Sequence, residues 1–240
     1  MHKDVYMPRF CLAGIPQHVI QRGNNRQPCF AGASDYRFYL ECMRAASRRY
    51  ACAVHAYVLM TNHVHLLVTP SQKDVLPRFM QHIGRRYVQY FNFCYQRTGT
   101  LWEGRYQASL VDTEAYVLTC YRYIEMNPVR AAMAANPSDY RWSSYRYNAF
   151  DVKDEVVVPH ELYTALGANP ASRCTAYREL FRTNLGEATL KIIRESLDQE
   201  VVLGNDRFRE YIEKALARRV RPGRRGRPSK QSQKPSRGFE

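Results

Sequence analysis

The sequence lacks the patterns of a zinc–thiolate site, a disulfide framework and a membrane-spanning segment. Its seven cysteines are an odd number and none forms a Cys-x-x-Cys pair, which indicates reduced thiols. No run approaches the roughly 18 apolar residues that a transmembrane helix needs. The first residues lack the apolar stretch of a signal peptide. We therefore expect a soluble cytoplasmic protein with no membrane partner.

Negative charge is also scarce. The 240 residues contain 36 Lys and Arg against 22 Asp and Glu, a formal net charge of +14. Such an excess favours a polyanionic partner, nucleic acid first and an anionic membrane surface second. Ten basic residues and only two acidic ones lie between Tyr211 and Glu240. This Pro- and Gly-containing tail has few apolar residues, so we expect it to be disordered on its own.

Two histidines, His63 and His65, lie in an apolar run that extends to Val68 without a breaker. This pattern predicts a strand, in which residues i and i+2 point to the same face. Both imidazoles can then bind one divalent metal, although many strands carry two histidines for no chemical reason. The remaining histidines lack such a setting, and we interpret them as structural or surface residues: His2, His18, His55, His82 and His160.

A second candidate segment is the end of a predicted helix that Asp112 and Thr113 cap. Tyr123 and Asn127 are four residues apart and share a face of this helix. Tyr116 shares that face, so geometry alone does not choose between the two tyrosines, but Asn127 at i+4 favours Tyr123. A phenol, with a pKa near about 10, needs a nearby base or metal to attack a phosphodiester. Neutral imidazole suits Mn²⁺, Zn²⁺ and similar ions, while an oxygen ligand such as the Asn127 carboxamide suits Mg²⁺ or Mn²⁺.

The predicted elements follow the order β-α-β-β-α-β-α up to about residue 130. Four strands (17–22, 53–59, one carrying the histidines, 106–111) alternate with helices at 34–49, 75–96 and from Thr113. The first six match the ferredoxin-like split arrangement. We predict an α+β fold, a ferredoxin-like antiparallel sheet with covering helices on one side and the other side open to a ligand. Four helices are expected within 159–217, and the aromatic segment 137–150 either wraps against the sheet or contacts DNA.

Basic residues supply candidate DNA contacts. Residues 225–228 (RGRP) resemble the core of an AT-hook, in which Arg enters the narrow minor groove of A·T-rich DNA. A merely solubilising tail is the alternative. Several arginines of the folded region could contact phosphates or could lie on solvated helix faces: Arg78, Arg85, Arg86, Arg105, Arg122 and Arg130.

Several motifs in order give the chain a resemblance to REP-associated tyrosine transposases. These form the domesticated branch of the single-tyrosine His-hydrophobic-His (HUH) transposase family. The resemblance covers nearly the whole chain. It rests on residues 18–24 (HVIQRGN), 59–65 (LMTNHVH), 101–106 (LWEGRY), 121–130 (YRYIEMNPVR), 203–208 (LGNDRF) and the RGRP tail.

The resemblance implies an active site on a ferredoxin-like sheet. His63 and His65 would bind Mg²⁺ or Mn²⁺, with Asn127 as third ligand where mobile-element relatives often have Gln. Tyr123 would attack a single-stranded DNA phosphate, form a 5′-phosphotyrosine and release a 3′-OH. The substrate would be a hairpin-forming extragenic palindromic repeat. The expected DNA contacts are Arg105, Arg122, Arg130, Arg225 and Arg227.

Three segments are expected: an HUH single-tyrosine transposase domain (1–150), a helical C-terminal region (151–217) and a basic AT-hook-like tail (218–240). Mobile-element relatives are dimers that exchange the tyrosine helix, whereas domesticated ones fit a monomer, so homodimer and monomer both stay open. The expected location is bacterial cytoplasm, associated with the nucleoid. The alternative function is a non-catalytic DNA-binding architectural or regulatory protein derived from a transposase. An unrelated metal hydrolase is disfavoured because no clustered Asp or Glu accompany the histidines.

Overall fold

A four-stranded antiparallel sheet forms the centre of the computed structural model, which describes residues 10–217 and 220. Its order, β2–β3–β1–β4, is that of a ferredoxin-like sheet. The predicted α+β ferredoxin-like class is confirmed. The strands are β1 (Gln17–Arg22), β2 (Cys52–Met60), β3 (His63–Pro70) and β4 (Gln107–Leu110).

The three helices predicted within residues 34–130 begin and end within a few residues of their predicted positions, whereas the short helices at Asn127–Arg130 and Tyr145–Phe150 were not predicted. Gly32 is the N-cap of the first helix, and the Asp35 carboxylate accepts from the Gly32 N–H at 2.9 Å. No helix of the described part of the chain is long and apolar enough to cross a membrane. The helices are α1 (Ala33–Tyr50), α2 (Val75–Cys94), α3 (Thr113–Glu125), α4 (Asn127–Arg130), α5 (Tyr145–Phe150), α6 (Glu161–Thr164), α7 (Pro170–Glu179), α8 (Glu187–Asp198) and α9 (Asp206–Leu216).

One face of the sheet packs against α1 and α2. Val19 of β1 and Leu66 of β3 point to this side and are fully buried. The helices supply Tyr39, Phe79 and Tyr87 to the same core, with the Tyr39 and Tyr87 rings 5.0 Å apart and edge to face. Large apolar and aromatic side chains of this kind contribute most of the hydrophobic stabilisation of such a core.

The second face of the sheet is covered as well, so the expectation of an open face was wrong. Helix α3 packs on β2 and β3, and α8 packs on β1 and β4. Leu190, Ile193 and Leu197 form an apolar stripe at helical spacing on α8 and join the core that contains Ile20. The physical reason is that both surfaces are apolar and remove each other from water.

Segments from the C-terminal half cover both edges of the sheet. At the β2 edge, the Leu59 N–H donates to the Trp142 carbonyl at 2.9 Å and Ser143 bridges Val58. Of the two alternatives for residues 137–150, the structure therefore shows the one in which they wrap against the sheet. At the other edge Leu203 pairs beside β4. Covered edges do not offer unpaired backbone groups to another chain.

A buried carboxylate ties α3 to the helices of the C-terminal half. Glu125 is 0% exposed, and burial raises the pKa of its carboxyl group to about 7. It accepts hydrogen bonds from the Ser144 hydroxyl, the Asn148 amide at 2.7 Å and the Tyr177 hydroxyl at 2.6 Å. These donors lie next to or on α5 and α7. Glu125 thus fixes the C-terminal end of α3 from two directions.

Replacing Glu125 with Ala is expected to lower the free energy of unfolding by about 3 kcal/mol or more, because three buried donors lose their acceptor. Urea unfolding measures this change. Glu114→Ala, on the exposed first turn of the same helix, is the control and should cost no more than about 1 kcal/mol. Equal losses in the two variants would contradict the anchoring role.

Candidate active site

The pairing of β1 with β3 sets the positions of the two predicted histidines. His63 lies opposite Arg22 and His65 lies opposite Ile20. The two imidazole rings are on the same face, with centroids 5.1 Å apart and planes at 82°. Both rings therefore lie on one face of β3, as the sequence pattern predicts.

His63 is held by its neighbour Asn62. Its Nδ1–H donates to the Asn62 carboxamide oxygen at 2.7 Å, and the Asn62 amide in turn donates to the Arg26 carbonyl at 3.0 Å. This orientation leaves Nε2 of His63 to carry the lone pair. Burial, and then the charge of Arg22, lower the pKa of His63 to about 4. The ring is thus neutral near pH 7.

His65 contacts a third histidine that the sequence interpretation had treated as structural or surface. Nε2 of His18 in β1 lies 3.0 Å from Nδ1 of His65. Burial, then the neighbouring His18 and His63 and the arginines Arg22 and Arg130, hold the pKa of His65 well below its usual range. Burial and Arg130 lower that of His18 to about 3. The predicted ferredoxin-like strand order puts β1, and therefore His18, next to β3. The register that brings His18 against His65 could not be deduced from the sequence.

Tyr123 is the tyrosine of α3 that reaches the histidines. Its ring packs edge-on against His18 at 5.4 Å and His65 at 5.8 Å between centroids. Tyr121 instead stacks on Tyr163 in the core, and Tyr116 packs at the rim of the second core. The structure therefore distinguishes Tyr123 from the other tyrosines of its helix.

Arg130 covers the ring of Tyr123. Its guanidinium carbon lies 4.4 Å from the ring centroid, and Nη2 donates to the Tyr123 carbonyl at 2.6 Å. Tyr123 is only 6% exposed as a result of this cover and its core packing. Burial lowers the pKa of Arg130 below its usual range, whereas the electrostatic interaction with Tyr123 raises that pKa and so offsets part of the shift.

Asn127 lies beside Tyr123 but not on the same helix, so the prediction of one continuous helix was wrong. Helix α3 ends at Glu125, and Asn127 begins the short α4. Pro128 explains the break, because proline has no backbone N–H to continue the hydrogen bonds of α3 and its ring clashes with the carbonyl four residues earlier. The Asn127 amide donates to the Tyr123 carbonyl at 3.1 Å, which leaves its side-chain oxygen as a metal-ligand candidate.

The predicted DNA contacts have different surroundings. Arg105 lines a polar cleft of about 540 Å³ together with Arg22 and Arg26. Arg122 is partly buried and donates to the Thr183 carbonyl, so its side chain is engaged within the protein. Arg225 and Arg227 lie outside the described residues.

The side chains around Tyr123 include three candidate ligands for a divalent metal, His63, His65 and Asn127. Among the described residues no group of three or more His, Cys, Asp or Glu side chains is arranged to hold a metal ion. His63 and His65 nevertheless have the features of histidine metal ligands. Both imidazoles are neutral, and the Nδ1 atom of each is already in a hydrogen bond, which leaves Nε2 to face a metal. Two histidines and a carboxamide oxygen fit Mg²⁺ or Mn²⁺ with positions left for substrate oxygens.

The amino-acid sequence matches the model of one known protein family. The family model described as "Transposase IS200 like" matches residues 11–127, a span that includes His63, His65, Tyr123 and Asn127. Residues 11–127 are thus similar to IS200-like transposases. This match confirms the transposase resemblance of the sequence. No curated protein matches the chain.

The fold also resembles solved structures. A REP-associated tyrosine transposase bound to a REP hairpin aligns with a TM-score of 0.51 and 16% sequence identity, over 64% of this chain and 91% of that chain. A candidate transposase from Deinococcus radiodurans R1 aligns with a TM-score of 0.36 and 18% identity, over 52% of this chain and 95% of that chain. The first of these shows that the two proteins share a fold.

Replacing His63 or His65 with Ala is expected to weaken Mn²⁺ binding at least about 10- to 100-fold, the range seen for the loss of even an outer-shell partner. Electron paramagnetic resonance of free Mn²⁺ measures this without DNA. His82→Ala is the control, because His82 lies on α2 against Tyr50 and should leave the affinity unchanged. Wild-type affinity in both site variants would contradict the metal assignment.

Proposed function

We propose that the protein is a metal-dependent single-strand DNA endonuclease and strand-transfer enzyme with Tyr123 as nucleophile. The observation that carries the proposal is the packing of the Tyr123 ring against His65, one of the two histidines that share a face of β3. A phenol needs a nearby base or metal to act as a nucleophile, and the imidazoles beside Tyr123 can supply either.

The reaction balances without any further reagent. A bond forms between the Tyr123 phenol oxygen and phosphorus, and the bond from phosphorus to the 3′ oxygen of the preceding nucleotide breaks. The phenol loses a proton and the departing 3′ oxygen gains one. The products are a 5′-phosphotyrosine and a free 3′-OH, and the retained phosphodiester energy permits a later transfer to another 3′-OH.

His63, His65 and Asn127 would hold Mg²⁺ or Mn²⁺, which when bound polarises the scissile phosphate and offsets its developing charge. The protein's own contribution is orientation. Asn62 and His18 restrain the two imidazoles, and the carboxamide of Asn127 is fixed by its bond to the Tyr123 carbonyl. Positioning of this kind lowers the entropic cost of bringing the reacting groups together.

Arg130 has the position of an electrostatic partner for the nucleophile. Its guanidinium lies over the Tyr123 ring and would favour negative charge on the phenol oxygen or on an approaching phosphate. We propose this role in place of a general contact with the DNA backbone, because a half-buried arginine is tied to the site rather than to the outer surface.

The polar cleft next to the histidines is the proposed path of the DNA strand. Ile20 and Arg22 line it and pair directly with His65 and His63. Arg105 lines this cleft and also a second one of about 520 Å³ that reaches Arg78 and Arg85 on α2. The two clefts share Arg105 and together contain five arginines that could contact a phosphate backbone, next to Glu103 and Asp198 in the first cleft.

We assign the protein to the REP-associated branch and propose hairpin-forming repeat DNA as its substrate. The sequence motifs and the fold shared with a solved transposase bound to a REP hairpin support this assignment. The Glu125 network holds α3 within its own chain, which supports a site assembled in one chain; a homodimer that exchanges α3 would have to break it. A nucleoid-associated cytoplasmic location stays a prediction.

A DNA-binding protein without cleavage is the second candidate, and the burial of Tyr123 favours it. With 6% of its surface exposed, the phenol is reached by a DNA strand only after neighbouring side chains shift. A DNA-binding protein of this kind would use the polar cleft and the basic tail of residues 218–240 but would form no covalent product with DNA.

Tyr123→Phe is expected to abolish an SDS-resistant adduct between the protein and labelled single-stranded hairpin DNA in Mg²⁺ or Mn²⁺, because only the phenol oxygen can form the bond. A denaturing gel measures the adduct. Tyr116→Phe, on the same helix but away from the histidines, is the matched control and should retain it. Mobility-shifted DNA with no adduct from the wild type would instead support the non-catalytic candidate.

Removing the residues after Arg218 is expected to weaken DNA binding and to flatten its dependence on salt, because fewer cations then displace counterions from the phosphates. The removed segment includes Arg225 and Arg227. Titrations at several salt concentrations give the slope of log affinity against log salt. An unchanged slope would show that the tail does not contact DNA.

A further inference from the structure

His18 is a fully buried histidine in the middle of the sheet. It points to the face that carries His63 and His65, because it lies two residues from Ile20, the direct partner of His65. Such diagonal neighbours on paired strands are within reach of long side chains. Its Nε2 lies 3.0 Å from Nδ1 of His65, and its ring meets the edge of Tyr123.

The contact between the two imidazoles contains one shared proton, so its direction decides which nitrogen of His65 carries the lone pair. If His18 donates, the proton of neutral His65 sits on Nε2 and no lone pair is left there. If His65 donates from Nδ1 to Nε2 of His18, then Nε2 of His65 can bind a metal. His18 is therefore the acceptor that a metal-binding His65 requires.

His18 must then carry its own proton on Nδ1. This atom is buried and has no hydrogen-bond partner among the described residues, and the same is true of the hydroxyl oxygen of Ser109. Ser109 in β4 is the direct cross-strand partner of His18. Side chains directly opposite each other are about 4.5–5.5 Å apart at Cβ, so a small shift would let the hydroxyl accept the proton of His18.

We propose that His18 is a positioning residue that holds His65 in the tautomer whose Nε2 can bind a divalent metal, with Ser109 as the acceptor behind it. The relay crosses three strands, from Ser109 in β4 through His18 in β1 to His65 in β3. The inference rests on the metal role proposed above for His65. It adds a residue that touches neither DNA nor metal but determines whether the ligand atom is available.

The test is the affinity of the full chain for Mn²⁺ without DNA, measured by electron paramagnetic resonance. His18→Phe fills the space without an acceptor and is expected to weaken binding about 10- to 100-fold. His18→Gln keeps an acceptor oxygen and is expected to stay within about threefold of the wild type. Ser109→Ala should weaken binding by less, about threefold. His55→Gln is the buried control, because His55 bonds to Val158 and Thr69, and should leave the affinity unchanged.

The ring ¹⁵N shifts of His65 in the metal-free protein provide a readout that packing alone would not move. We expect His65 to carry its proton on Nδ1 in the wild type and in His18→Gln. We expect this tautomer to be lost in His18→Phe. The proposal would be overturned if a folded His18→Phe variant bound Mn²⁺ with wild-type affinity. It would also be overturned if His18→Phe and His18→Gln weakened Mn²⁺ binding equally. If His18→Phe fails to fold, weakening by His18→Gln as large as that of His65→Ala overturns it. A wild-type chain that binds no Mn²⁺ would overturn the metal site itself, and this inference with it.

Discussion

The antiparallel pairing of β1 with β3 is the constraint on which the site depends. Its register places Ile20 opposite His65 and Arg22 opposite His63, so that an imidazole of β1 and two of β3 share one face. A slip of one residue would turn β1 over and move His18 to the face of α1 and α2. The same pairing carries Arg22 to the wall of the polar cleft. The two histidines proposed as metal ligands, the contact of His18 with His65 and one wall of the proposed strand path thus follow from one set of backbone hydrogen bonds.

The covering of that face by α3 and α8 gives the site its chemistry and also its main restriction. Burial keeps the imidazoles neutral, as metal ligands must be, and it removes water from around the phenol of Tyr123. The same packing leaves that residue 6% exposed. Glu125 bonds α3 to the segments of α5 and α7. We therefore expect DNA to reach Tyr123 through movement of the surrounding side chains, Arg130 among them, rather than through release of the helix.

Much of the fold could be predicted from local pattern, whereas the contacts of the site could not. The alternation of residues 17–22 and the uninterrupted run through His65 specified β1 and β3, and the short connection between β2 and β3 specified their hairpin. The role of His18 depends on a register between strands 40 residues apart, which no local pattern encodes. Pro128 indicated that the helix ends near Asn127, but not that Asn127 begins a separate short helix. The covering of the second face required the tertiary packing of α8, and the engagement of Arg122 by Thr183 required a loop position far along the chain.

The central claim is that Tyr123, and no other tyrosine of α3, forms the covalent bond to DNA. Trypsin cuts after Arg105, Arg122 and Arg130, so Tyr123 falls in the peptide 123–130 while Tyr116 and Tyr121 fall in 106–122. Mass spectrometry of the digested protein–DNA adduct should find the nucleotide mass on 123–130. The same mass on 106–122 would contradict the account and move the nucleophile to a tyrosine that the structure places in or beside the core.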